Sequence, residues 1–183
     1  NTREEAELAV EAARYHPQGN RSVGGGRHGL SFETSAKEYY ENANDQVLVV
    51  VQIEHIEGVR NADEILSVPG VNACFIGPND LAASMGLGLG VSLESDIPEV
   101  VEAIQTIREA CVRNGVAPGI HTSGGAAVKR RIDEGFQFCA MASELRYMLG
   151  YLAEDLASIG WTPSSRTDKV GGPESEAGTV VRY

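Results

Sequence analysis

Val47-Leu48-Val49-Val50-Val51-Gln52-Ile53 is the stretch whose reading decides the fold. Five of its seven residues are β-branched and the run is apolar on both faces. That is the pattern of a strand covered on both sides in a parallel sheet, not of a half-solvated antiparallel one. Working outward toward the C-terminus, a helical pattern runs from Glu57 to Leu66, and Ala73-Cys74-Phe75-Ile76 reads as a short buried strand. A long amphipathic helix follows from Ile97 to Arg113, stopped by Asn114-Gly115. Ala117-Pro118-Gly119-Ile120 is a strand, Gly125 to Glu134 a helix, Phe136 to Ala142 a strand and Glu144 to Ser158 a last helix.

Toward the N-terminus, a helix is expected from Ser35 to Ala43, and Arg21-Ser22-Val23 reads as a short strand ending at Gly24-Gly25-Gly26. Thr2-Arg3-Glu4-Glu5 has the form of a capping box, with Ala6, Val10 and Ala13 on one face of the helix it starts; Pro17 and Gly19 close that helix. Alternating helices and apolar strands specify an α/β fold with a parallel sheet. Periodicity alone leaves open whether the sheet is doubly wound or closed as a barrel. From Trp161 the composition turns to Ser, Gly, Pro, Thr and charge, so we expect a folded domain over residues 1–160 and a tail without fixed structure over 161–183.

With a formal net charge of -11 and carboxylates spread along the chain, the surface repels phosphate backbones and anionic membranes. Neither nucleic acid nor a membrane is an expected partner, and no apolar run approaches the roughly 20 residues a bilayer span needs. The one dense basic cluster, Lys129-Arg130-Arg131, reads as a solvated helix face. Cys74, Cys111 and Cys139 are odd in number, without a CxxC pair, and suit a reducing compartment, which we read as the cytoplasm.

In parallel α/β folds the working groups gather at the C-terminal ends of strands. Here those ends are Gln52-Ile53-Glu54, Gly77-Pro78-Asn79-Asp80, His121-Thr122-Ser123 and Ala142-Ser143. Two consecutive strands thus deliver a carboxylate each, Glu54 and Asp80, to one rim. Such a pair suits a hard divalent cation that keeps several waters and chelates an oxo acid. By strand alternation Gln52 shares the side of Glu54 and could donate a hydrogen bond to it, while His55 points away. The alternative for the pair is solvated or capping carboxylates, with Asp80 starting a helical turn. His121 could line the site or be structural. Gly86-Leu87-Gly88-Leu89-Gly90 lacks the spacing of a dinucleotide fingerprint and reads as a mobile rim loop. Lys37, Lys129 and Lys169 end no strand, which argues against a Schiff-base mechanism.

Arg14-Tyr15-His16-Pro17-Gln18-Gly19-Asn20-Arg21-Ser22-Val23-Gly24, Val51-Gln52-Ile53-Glu54, Phe75-Ile76-Gly77-Pro78-Asn79-Asp80-Leu81 and Ala117-Pro118-Gly119-Ile120 together resemble the HpcH/HpaI aldolase family, in its order and spacing, over about residues 1 to 160. The resemblance implies a (β/α)8 TIM-type barrel of the phosphoenolpyruvate/pyruvate type, with its site at the C-terminal rim. It implies Glu54 and Asp80 as ligands of a divalent metal, Mg²⁺ or else Mn²⁺ or Co²⁺. Gln52, Asn79 and Asp80 become substrate-binding positions, with backbone amides at Asn79-Asp80 meeting the acid's carboxylate. The implied reaction is aldol cleavage or formation of a 4-hydroxy-2-oxo acid through a pyruvate enolate, with an aldehyde as the other partner. A trimer or hexamer is implied, with the last helix packed on a neighbouring subunit.

The family's catalytic His and its transition-state-stabilising Arg belong to early strands, which we expect upstream of Asn1. Neither His16 nor Arg21 matches those motifs, so no catalytic residue is assigned within the chain. On that expectation the chain alone lacks turnover. The other readings are a remnant that binds metal and oxo acid without reacting, and a citrate-lyase-like enzyme acting on an acyl-CoA. His121 departs from the family, where its position is often apolar.

Overall fold

A computed structural model describes residues 1–24 and 27–161. Four short strands, β1 (Val50–Ile53), β2 (Ala73–Ile76), β3 (Ala117–Thr122) and β4 (Phe138–Met141), form one sheet in the order β1-β2-β3-β4, every pair parallel. The order never reverses along the chain. A doubly wound sheet reverses at its switch point, whereas a barrel adds each new strand beside the last. The sheet is the α/β, TIM-type arrangement expected from the resemblance.

The described residues fall into two units, Asn1–Met141 and a second that starts at Ala142. In the first, the helices α4 (Ile56–Arg60), α5 (Ala62–Leu66), α6 (Pro78–Ser84), α7 (Pro98–Asn114) and α8 (Gly125–Asp133) connect the strands. The middle row of the sheet, Ile53, Ile76 and Ile120, is almost wholly buried and meets Leu66, Leu81, Val100, Ile104 and Ile107 from the helices. Each such side chain contributes about 1.5–3 kcal/mol on leaving water. Cys74 and Cys111 belong to this core; the Cys111 side chain and burial push the Cys74 thiol above its usual value, so it packs rather than reacts. The second unit contains α9 (Glu144–Ser158), started by Ser143, whose side chain accepts from the Arg146 amide.

Before the sheet come α1 (Arg3–Ala13), α2 (Arg27–Phe32) and α3 (Ala36–Gln46). The capping box at Thr2 and Glu5 is present as read. The segment Arg14–Arg21 is a knot rather than a strand. The Asn44 side chain accepts from the Tyr15 amide at 2.7 Å and donates to the Tyr15 carbonyl at 2.9 Å, and the Asn20 and Arg21 amides turn back to Glu11 and Arg14. The expected strand at Arg21-Ser22-Val23 is therefore absent: the Arg21 amide is spent on Arg14 and its guanidinium lies 4.8 Å from the Tyr15 ring centre.

Three more boundaries differ. β1 starts at Val50, not Val47, because Val47 closes α3 on Ala43 and the Val49 amide is held by the Asn72 side chain at 2.9 Å. The helix read over Glu57–Leu66 breaks at Asn61, whose side chain donates to the Asn1 carbonyl. α2 was not expected at all. Gly25, Gly26 and the tail from residue 162 lie outside the described residues.

Candidate metal centre

Strand register places the candidate residues. Gln52, Phe75, Gly119 and Phe138 pair across the four strands as one row, and Ile53, Ile76, Ile120 and Cys139 as the next. The isoleucines face the helices, so the rows on either side of them face the opposite surface of the sheet. The row one step beyond is Glu54, Gly77, His121 and Ala140, the last two paired in β3 and β4. Glu54 therefore stands beside Gly77 at the rim. Contacts agree: a Cβ on Gly77 would overlap Glu54 Oε2 and lie 3.2 Å from Glu54 Cβ and 3.4 Å from Gln52 Nε2.

Gln52 Nε2 donates to Glu54 Oε2 at 2.5 Å, the hydrogen bond that their shared side of the strand allows. This fixes the carboxylate's orientation and leaves Oε1 and the remaining lone pairs for another partner. Asp80 lies in the first turn of α6, whose cap is Gly77 and whose first residue is Pro78. Asp80 is thus not the helix cap, as its alternative reading had it. No side chain caps α6, so no side-chain acceptor meets the Asn79 and Asp80 amides there. Asn79 and Asp80 are exposed.

His55 turns away from this rim, as expected, and caps α4: its Nδ1 accepts from the Glu57 amide at 3.2 Å. His121 lies on the rim, its ring centre 6.5 Å from that of Phe75, which meets Phe138 edge-on at 5.6 Å. Lys37 and Lys129 lie on helices, Lys129 paired with Asp133.

The basic cluster departs from its sequence reading. Arg130 is exposed, but Arg131 is buried, with its guanidinium 2.8 Å from Glu134 and its Cζ 5.7 Å from the Phe136 ring centre. Both arginines also reach Glu94, in the loop between α6 and α7, and Glu94 Oε1 accepts from the Ser123 amide at 3.1 Å. The cluster is not simply a solvated face: through Glu94, Arg130 and Arg131 tie the glycine-rich loop's far end to the end of β3. Sequence could not show this, since the partner lies in a distant loop.

The donor set suits a hard, oxygen-seeking ion. Among the described residues no group of three His, Cys, Asp or Glu side chains converges, so a closed zinc-type site is not built. One carboxylate oriented by an amide over a glycine, with a second in the following helix turn, matches an ion that fills its shell with water and substrate.

A family model described as HpcH/HpaI aldolase/citrate lyase matches residues 1–149. The chain belongs to this family. It is 41% identical over 156 residues to a 4-hydroxy-2-oxo-heptane-1,7-dioate aldolase of Klebsiella pneumoniae, covering 85% of this chain and 57% of that one. It is 39% identical over 144 residues to a 5-keto-4-deoxy-D-glucarate aldolase of Escherichia coli K12, covering 79% and 54%. The chain spans about half the length of these curated relatives. A solved family protein from Burkholderia cenocepacia superposes with a TM-score of 0.77 at 31% identity, over 87% of this chain and 62% of that one. No helix among the described residues is long and apolar enough to cross a membrane.

Proposed function

We propose that this HpcH/HpaI chain supplies the metal- and oxo-acid-binding part of a metal-dependent aldolase that cleaves or forms 4-hydroxy-2-oxo acids. The observation that carries the reading is Glu54, oriented by Gln52 and seated over Gly77, in a chain about two-fifths identical to aldolases of that class. Glu54 and Asp80 would hold the cation, with Mg²⁺ favoured and Mn²⁺ or Co²⁺ able to replace it. Bound there, the cation would polarise the acid's carbonyl and stabilise the negative charge that develops on carbon–carbon cleavage.

The chain's own residues bind and orient. Gln52 holds Glu54 in one rotamer, as outer-shell groups do for metal ligands. Gly77 leaves the Glu54 carboxylate room to lie over the end of β2. The Asn79 and Asp80 amides donate to the acid's carboxylate. An aldehyde is the other reaction partner. The exposed Leu145, Met148, Leu149 and Leu152 of α9 support assembly into a trimer or hexamer. Free thiols at Cys74, Cys111 and Cys139 support the cytoplasm as its place.

Titration with Mn²⁺, followed by the paramagnetic signal of the free ion, tests the reading. Glu54→Ala and Asp80→Ala should each weaken binding by at least about tenfold, roughly 1.4 kcal/mol. Unchanged affinity in both variants removes the site.

A further inference from the structure

We infer that His121 is a substrate-contacting, specificity-determining residue, and that the oxo acid taken at this rim carries a hydrogen-bonding group, such as a hydroxyl, on the carbon beside its ketone. The inference rests on the metal and oxo-acid reading of Glu54 and Asp80 and adds the class of acid. What points to it is one row of the sheet. Glu54 ends β1, Gly77 follows β2 and His121 lies in β3, all on the surface opposite the isoleucine core. Neighbouring strands are about 4.8 Å apart, so the Glu54 and His121 backbones are separated by two spacings, on the order of 10 Å. Between them stands a glycine. The Glu54 carboxylate leans over that glycine, and the space between it and β3 is walled by this carboxylate on one side and the imidazole on the other, with no side chain from β2 at the rim between them.

The row beneath closes the floor. Phe75, directly below Gly77 on the same strand face, packs at 6.5 Å from His121 and edge-on to Phe138. Gly119 is needed there because a Cβ would come 2.9 Å from Phe138 Cδ1. A small acid bound between the Glu54 carboxylate and His121 therefore lies beside an aromatic floor, between two polar walls. With its carboxylate and keto oxygens directed toward Glu54 and Asp80, the carbon on the other side of the ketone is the part that faces β3. The group there meets an imidazole, which offers a donor at one ring nitrogen and an acceptor at the other, so one protein contact and one ligand contact can coexist. A methyl group makes no use of either, whereas a hydroxyl can pair. Sites built to pair a hydroxyl discriminate strongly against the analogue that lacks it.

The test compares pyruvate with 3-hydroxypyruvate, titrated calorimetrically into the Mn²⁺-loaded protein, for wild type, His121→Leu and His121→Gln. Because the hydroxyl can also alter affinity through other contacts, the readout is the change in the affinity ratio between the two acids. We expect wild type to favour 3-hydroxypyruvate, His121→Leu to lower that ratio at least about tenfold with Mn²⁺ affinity retained, and His121→Gln to restore part of it. An equal ratio in wild type and His121→Leu overturns the inference alone. Failure of either acid to bind the Mn²⁺-loaded wild type overturns the underlying reading, and this inference with it.

Discussion

Gly77 lies against the Glu54 carboxylate so closely that a single added methyl group would stand well inside van der Waals contact of Oε2. Gly77 φ is -99°, so the glycine is required by proximity and not by an unusual backbone angle. Gly77→Ala should therefore leave the fold in place while turning Glu54 away from Gln52. Mn²⁺ affinity should fall at least about tenfold, with a loss of stability within about 1 kcal/mol. Mn²⁺ titration together with urea unfolding separates the two effects; wild-type affinity in Gly77→Ala would show that the contact does not matter to the ion.

Gly119→Ala should behave in the opposite way. Its added carbon would stand 2.7 Å from the backbone oxygens of both Cys74 and Phe138, which are pinned in the sheet. The strands must move, at a cost of about 1–3 kcal/mol. Thermal unfolding should show a drop of roughly 2–4 °C per kcal/mol for a chain of this length. No drop would mean the sheet accommodates the carbon.

The clasp on Glu94 gives a third test. The Glu94 side chain is 19% exposed and that of Arg131 8% exposed, so the pair is well shielded from solvent. Glu94→Ala leaves Arg131 with Glu134 alone and frees the Ser123 amide, and should destabilise by about 2–4 kcal/mol. Arg131→Met removes the buried charge along with its partner's need for it, and should cost less. Chemical denaturation ranks the two; the reverse order would contradict the burial argument.

Acid stability carries a smaller signature. Arg113, donating from Nη2 at 2.7 Å and from Nε at 3.1 Å, holds the Asp63 carboxyl below its usual range and links α7 to α5. A lowered folded-state pKa means the stabilisation is complete above the unfolded value of about 3.9 and fades as pH falls through the folded one. Both side chains are more than half exposed, 53% and 58%, so the whole effect should stay within about 1 kcal/mol. The stability gap between wild type and Asp63→Asn should be constant from pH 7 to about pH 4 and narrow below it, as measured by urea unfolding at each pH.

The apolar run at Val47–Ile53, the capping box at Thr2 and the Ile97–Arg113 amphipathic pattern determined by themselves that this is a parallel α/β chain, because burial periodicity and capping are local properties. The strand-end carboxylates Glu54 and Asp80, and the shared side of Gln52 and Glu54, were legible for the same reason: alternation along a strand needs no knowledge of its neighbours. Relations between elements were not legible. The start of β1 depends on the Asn72 side chain, the absence of a strand at Arg21 on the Tyr15 knot, and the burial of Arg131 on a carboxylate in a far loop. Register, which only tertiary pairing decides, set Gly77 beneath Glu54 and put His121 on the same rim. A one-residue shift would have turned every one of these side chains to the other face.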